Sequence, residues 1–280
     1  MKKSFTFIIL CTLLFSKITA QSEWNYNFEN ALKLSKAFNK PILVDFMATW
    51  CGPCKMMDRN VWSKEDIKVL KNNFISVKID IDVYSSIASK YEVRAIPNIM
   101  ILDSYGTKLF SSLGYKKKQE VAKFLDEFSI NLASINGAML ILDKSKQNVY
   151  SNIRVAQKYQ DAALVLKGGK VHKSFLMMSN RYLKNAEKIK KTKPLIVEKI
   201  DLLKLLNRAY FHHAKSVLKF AQKKFKSVDD TNLALFTFIK FYATNDLNQK
   251  DKAMVLLSDL QHAKNNSSYL KKANFILNKH

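Results

Sequence analysis

The sequence predicts an α/β domain, with helices layered on one sheet, followed by an all-α module. Three observations carry that expectation. Residues 24–130 switch repeatedly between helical spacing and short apolar runs of strand length. From about residue 133 onward the apolar spacing is helical almost throughout. The charge divides at the same point: residues 21–130 hold 16 Lys and Arg against 13 Asp and Glu, a net of +3, whereas residues 131–280 hold 28 against 10, a net of +18.

Phe28, Ala31, Leu32, Ser35 and Phe38 share a helical face that ends before Asn39-Lys40-Pro41. Pro41 to Met47 is a continuous apolar run interrupted only by Asp45, as in a strand buried on both faces. Pro53 suits the first turn of the next helix, where a missing N–H is harmless. Met56, Met57, Val61 and Trp62 continue its spacing, and Ser63-Lys64-Glu65-Asp66 reads as a second helix start. Phe74 to Ile81 alternates as a strand, and Tyr84 to Tyr91 is a short helix. Asn98 to Leu102 and Lys108 to Leu113 form two strands about the turn Asp103-Ser104-Tyr105-Gly106. Lys117 to Phe128 closes the domain, with Val121, Phe124, Leu125 and Phe128 on one face.

The chain has 280 residues, room for two domains, and its 48% apolar and 25% charged residues give an ordinary globular balance. Six glycines and four prolines exclude collagen-like, low-complexity and turn-dense all-β architectures. The one long apolar run is N-terminal. Lys2-Lys3, the stretch Phe5 to Phe15, and Ser16 to Ala20 before Gln21 have the three parts of a secretory signal peptide. The run is shorter than the ~20 residues a spanning helix needs, and the bulky Leu10 before Cys11 argues against a lipid anchor there. The expected organisation is a signal peptide at 1–20, the α/β domain at 21–132 and a basic helical domain at 133–280.

Removal of residues 1–20 leaves two cysteines, Cys51 and Cys54, in Trp50-Cys51-Gly52-Pro53-Cys54-Lys55. An exported protein meets an oxidising environment, and a pair closing so small a loop is a poor structural staple. No second cysteine pair or spaced histidine pair accompanies it to complete a zinc site, so no metal is expected. Redox chemistry is the favoured reading.

Val44-Asp45-Phe46-x-Ala48-x-Trp50-Cys51-Gly52-Pro53-Cys54-Lys55 resembles the active-site stretch of the thioredoxin family. Asp45, six residues before Cys51, stands where thioredoxins keep a buried acid. Lys78, in Val77-Lys78-Ile79-Asp80, resembles the strand lysine beside that acid. Ile96-Pro97 is similar to the family's cis-proline, and Gly114 to the glycine of its substrate groove. Ala31-Leu32 through Lys40-Pro41, with Asn60 to Glu65, is closer to the exported branch that includes the C-terminal domain of the bacterial disulfide reductase DsbD. The resemblance covers residues 24–130. It implies a thioredoxin fold, a central mixed sheet flanked by helices, with no cofactor beyond the Cys51–Cys54 disulfide or dithiol. Met47 in place of a common aromatic and Asn98 in place of the usual threonine depart from the pattern and bear on substrate preference.

These residues suit thiol chemistry, in which a thiolate attacks a disulfide. At a helix N-cap, Cys51 would face unsatisfied N–H groups and the positive end of the dipole, lowering its pKa from ~8.5 towards ~7. Cys54, one turn on and more buried, would stay protonated until it attacks the Cys51–substrate disulfide. Asp45 has two readings: acceptor of the Cys54 proton with Lys78 tuning it, or one half of a satisfied buried pair. Its spacing to Cys51 favours the first. Trp50, Gly52, Pro53, Ile96, Pro97 and Gly114 would bind substrate, with Trp50 an apolar shoulder and a cis Pro97 turning the Ile96 backbone towards Cys51.

The helical half carries no catalytic motif. Val171, Phe175, Met178, Tyr182, Ala186 and Ile189 step by three and four, as do Ile196 through Tyr210 to Ala221. Gly168-Gly169 marks a break, Pro194 a start, and segments near 231–243, 250–264 and 267–278 complete a module compatible with degenerate helical-hairpin repeats. His212 and His213, adjacent on a helix, diverge by ~100° and are unsuited to one metal ion; a partly exposed pair is expected. The 42 lysines against 5 arginines speak for compositional bias, and scarce arginine argues against nucleic acid.

The expected activity is that of a thiol–disulfide oxidoreductase in the bacterial periplasm, reducing or exchanging disulfides of exported proteins. The resemblance implies a membrane-embedded DsbD-like electron donor, and the basic half suggests weak contact with an anionic envelope surface. A disulfide oxidase or isomerase is the alternative on direction. A client-binding helical module with accessory thiols is the alternative in kind.

Overall fold

The computed structural model describes residues 24–166, 169–190 and 192–278. The expected signal peptide, Cys11 and Gly168 lie outside these residues. Among the described residues, no helix is long and apolar enough to cross a membrane.

The first part runs α1 (Phe28–Phe38), β1 (Ile42–Met47), α2 (Gly52–Met57), α3 (Glu65–Lys71), β2 (Ile75–Asp80), α4 (Ser85–Lys90), β3 (Asn98–Leu102), β4 (Lys108–Leu113) and α5 (Lys118–Phe128). The strand order is β2-β1-β3-β4, with β1–β2 parallel and the other pairs antiparallel. This is the mixed sheet the resemblance implies. Central position explains the run in β1: five of its six residues are buried. Asn27 caps α1 by accepting from the Asn30 N–H, and Asn39 ends it in the left-handed region at φ 55°. Between β3 and β4, Asp103 Oδ1 accepts from the backbone N–H of Tyr105 and Thr107, and Gly106 takes φ 76°.

Downstream of Met57, the helix widens into a π-helical turn at Asp58–Trp62, where Ser63 N–H donates to Asp58 O. The sequence spacing reads straight through this turn.

The second part contains α6 (Ala133–Lys144), α7 (Val149–Val165), α8 (Gly169–Glu187), α9 (Pro194–Tyr210), α10 (Ala214–Lys224), α11 (Asp230–Asp246), α12 (Lys250–His262) and α13 (Ser267–Leu277). The periodic run from Ile196 to Ala221 is two helices, not one. The chain turns at Phe211–His213, with His212 at φ 59°, while Ala214, Val217 and Ala221 resume a buried face beyond it. Apolar phase therefore survives a break that the backbone makes. The two histidines lie in this turn, and exposed His212 bonds Asp246 Oδ1 through Nδ1 at 2.7 Å. A buried amide network ties α7, α8 and α9: Gln160 donates to Leu203 O and Asn207 Oδ1, and Asn207 donates to Ser179 and Asn180.

One apolar cluster runs from Leu43, Ile99 and Phe128 through Leu132 and Ile135 to Ala273 and Ile276. The helices thus share a core with one face of the sheet. At the junction, Asn39 accepts twice, from Leu132 N at 2.8 Å and from Asn136 Nδ2 at 2.9 Å. On the other sheet face, Ile42, Val44, Phe46 and Ile79 share a cluster with Phe28 of α1 and Tyr91 at the end of α4.

Candidate active site

The end of β1 delivers the cysteines. Cys51 N–H donates to Ala48 O across a tight turn, and α2 then begins at Gly52 with Cys51 as its N-cap. Cys54 N–H donates to Cys51 Sγ at 3.1 Å, so the helix aims a backbone donor at this sulfur. Cys51 and Cys54 form a disulfide, with Cα atoms 5.3 Å apart.

Met47, Ala48, Ile81 and Ile96 pack around the pair. Cys54 is the more buried of the two, as expected, but only narrowly: Cys51 is 3% exposed and Cys54 2%. In the disulfide the two sulfurs share one apolar socket.

The other expected substrate-binding residues surround that socket. Gly52 and Pro53 are exposed on the first turn of α2. The Ile96–Pro97 bond is cis, and Pro97 O accepts from Gly114 N at 2.8 Å, bringing the two loops together. Gly114 has φ 82°, and a Cβ there would meet nothing within 4 Å, so backbone conformation selects glycine here. Asn98 is buried, and its Oδ1 accepts from Ser111 Oγ across the β3–β4 pair. Trp50 is 66% exposed and fixed by a partner absent from the sequence reading: its Nε1–H donates to Asp82 Oδ2 at 2.7 Å.

Strand register joins Asp45 to Lys78. They are directly opposed on β1 and β2, with Lys78 Nζ 3.2 Å from Asp45 Oδ2. Asp45 shares a strand face with Met47, which packs against the cysteines. A third charge, Asp58 in the π-helical turn, also pairs with Lys78. Burial pushes the Asp45 carboxyl up, Lys78 pulls it down, Asp58 pushes it up again, and the Trp62 N–H lowers it; the net direction is upward. For the Lys78 ammonium burial is adverse, but the two carboxylates outweigh it and its proton affinity is raised.

Asp58 follows Cys54 by four residues, one helical turn, and that spacing was the signal available for it. A pocket of about 390 Å³, lined by Trp24, Tyr26, Met47, Asp58, Trp62, Ser63 and Lys78, opens beside the three charges. Asp58 and Lys78 line that pocket, whereas Asp45 lies buried behind them.

The thioredoxin family model matches residues 19–127. Thioredoxin from Mycoplasmoides gallisepticum is 34% identical over 87 residues, which are 31% of this chain and 83% of that protein. The chain belongs to the thioredoxin family. Thioredoxin Y2, chloroplastic, from Arabidopsis thaliana is 37% identical over 87 residues, 31% of this chain and 51% of that protein. Thioredoxin Y1 of the same plant is covered to 46%, so the chain spans about half the length of these two plant relatives. The solved thioredoxin NaTrxh of Nicotiana alata is 35% identical, covering 36% of this chain and 83% of its own, with a TM-score of 0.30. The thioredoxin match ends just before α6.

Proposed function

We propose that the protein is an exported thiol–disulfide oxidoreductase that reduces or exchanges disulfides of exported proteins. The observation that carries this reading is the Cys51–Cys54 disulfide at the N-terminus of α2, with Cys51 as the capping residue. In the reduced protein, the helix end that now points the Cys54 N–H at Cys51 Sγ favours a thiolate there.

The Cys51 thiolate attacks one sulfur of the substrate disulfide, forming a mixed disulfide and expelling the other sulfur as a thiolate. Cys54 then gives its proton to Asp45 and attacks Cys51 Sγ. The Cys51–Cys54 bond forms, the Cys51–substrate bond breaks, and the second substrate sulfur leaves. Two electrons pass from the dithiol to the substrate, and the released thiolates take up the protons. Lys78 and Asp58 hold the acceptor in place and set its proton affinity.

Trp50, Ile96, Pro97 and Gly114 form the surface on which an extended substrate strand would lie. The N-terminal segment supports export to the periplasm, where oxidised enzyme would need a membrane-embedded donor of the DsbD kind.

Equilibration with glutathione tests the direction. A potential near about −270 mV is expected for a net reductant, whereas one near about −120 mV would make the protein an oxidant and overturn that part of the reading. Failure to reduce insulin with both cysteines intact would overturn the activity.

A further inference from the structure

The segment preceding α1 closes the charge cluster from one side. Asn25 is held beside β2: its N–H donates to Ser76 O at 2.9 Å, its carbonyl accepts from Lys78 N at 2.9 Å, and its side-chain amide donates to Ser76 O at 3.1 Å. Anchored in this way, the Trp24 ring meets Trp62 edge to face, with centroids 5.2 Å apart and planes at 82°. The same ring lies close to two ammonium groups, Lys71 Nζ at 3.9 Å from its centroid and Lys78 Nζ at 5.2 Å.

Lys71 sits in the last turn of α3 and is 2% exposed, as deeply buried as Asp45. Lysine is rarely found at such depth. Its position at a helix C-terminus and on an indole face favours the charged form. Asp45 and Asp58 favour it too, while Lys78 across the ring and Lys68 on its own helix oppose it. Burial is the largest influence, and the Lys71 ammonium is pushed down to about 8. Two lysines and two aspartates therefore share the space around Trp24 and Trp62, with the charge of one lysine changing just above neutrality.

We infer that Lys71 is a positioning residue for the proton acceptor: its ammonium, seated on the Trp24 ring, biases Asp45 towards the ionised form and so sets the pH at which Cys54 can be deprotonated. A positive charge nearby stabilises the Asp45 carboxylate and opposes the Lys78 ammonium, so it lowers the proton affinity of both. Asp58 acts on both in the opposite sense. Discharge of Lys71 removes the bias, and Asp45 then holds its proton to higher pH. The inference rests on Asp45 being the acceptor of the Cys54 proton.

The test isolates the resolving step. Reduced protein is treated with an aromatic disulfide that places a chromophoric thiol on Cys51, and its release by Cys54 is followed by stopped flow across pH. In the wild type the rate rises with pH as Asp45 ionises. Lys71→Met should move that rise up by about one pH unit, the scale expected for loss of a neighbouring charge in a partly buried cluster. Lys71→Arg should restore the wild-type midpoint. Trp24→Phe, a weaker seat for the ammonium, should move it in the same direction by less.

A midpoint unchanged in Lys71→Met, whatever its melting temperature, overturns the inference. If that variant does not fold, an unchanged midpoint in Trp24→Phe overturns it. Asp45→Asn separates the two ideas. A pH rise that survives in Asp45→Asn sinks the acceptor reading, and one abolished there but unmoved in Lys71→Met sinks only the role of Lys71.

Discussion

Tyr159 donates its phenolic hydrogen to Asp103 Oδ2 at 2.8 Å, and this buried bond joins α7 to the turn between β3 and β4. Burial pushes both groups up, which keeps the phenol protonated as donor. Tyr159 is itself set by stacking on Tyr182, with centroids 5.8 Å apart, and by an edge contact with Phe175. The hairpin it grips begins just after cis-Pro97 and ends just before Gly114. The helical module and the loops at Pro97 and Gly114 are thus at opposite ends of one hairpin.

Tyr159→Phe should remove this bond while keeping the ring. Asp103 retains two backbone donors, so the expected loss is that of one buried hydrogen bond, about 1–3 kcal/mol by urea unfolding. Reduction of a small disulfide should be unaffected while the variant is folded. A slowed reaction at unchanged stability would show that the bond reaches the loops at Pro97 and Gly114.

Cys54→Ser should accumulate mixed disulfides through Cys51, visible as adducts that collapse on adding dithiothreitol, because the resolving attack is lost. Cys51→Ser should abolish turnover. Wild-type turnover in that variant would refute the assigned nucleophile.

Asp45 carries a stability signature of definite sign. Its folded-state pKa lies above the unfolded value, so the folded protein holds this proton more tightly. The group therefore contributes most below the unfolded pKa, and stability is lost as pH rises through the raised folded value. Asp45→Asn should raise the melting temperature at pH 8, with the gain shrinking towards pH 4, and Lys78 keeps Asp58 as partner. A variant less stable at pH 8 would mean that pairing with Lys78 outweighs desolvation.

Asp58→Asn should lower the proton affinity of Asp45, since Asp58 pushes it up. The pH rise of the resolving step should move down. An upward shift or none would place Asp58 outside the tuning of the acceptor.

The basic helical half should govern which substrates approach. We expect activity on an acidic client to weaken with added salt, since exposed charges are screened beyond ~8 Å at physiological ionic strength. Residues 21–132 carry Cys51, Cys54, Asp45 and Lys78, and under the proposed function they should reduce a small disulfide at close to the full-length rate. They should melt at lower temperature, because Asp103 loses Tyr159 and the apolar cluster is cut at Leu132. Salt-independent activity on the client would leave the lysines without a recognition role.

Most of the sheet was legible because each strand carries its own apolar pattern, and Asn98–Leu102 and Lys108–Leu113 fall where the turn signal at Asp103 to Gly106 puts them. The Asp45–Lys78 pair was legible by resemblance, and strand register supplies its physical cause. Asp82 and Lys71 were not, because each acts through a contact between distant segments that local spacing does not encode, and Asp58 left only its spacing to Cys54, which does not reveal its pairing with Lys78. The break at His212 was hidden for a different reason: the buried face on either side keeps one phase, and a single left-handed residue leaves no mark in apolar periodicity.

The placement of α8 against β4 also bears on self-association. β4 is the outermost strand of its sheet on that side, and an outer strand offers unpaired N–H and C=O groups to any passing chain. At the opposite border, Asn25 bonds alongside β2. A protein shorn of its helices would keep this outer strand and lose the helix packed beside it, so it should be the more prone to strand pairing and aggregation.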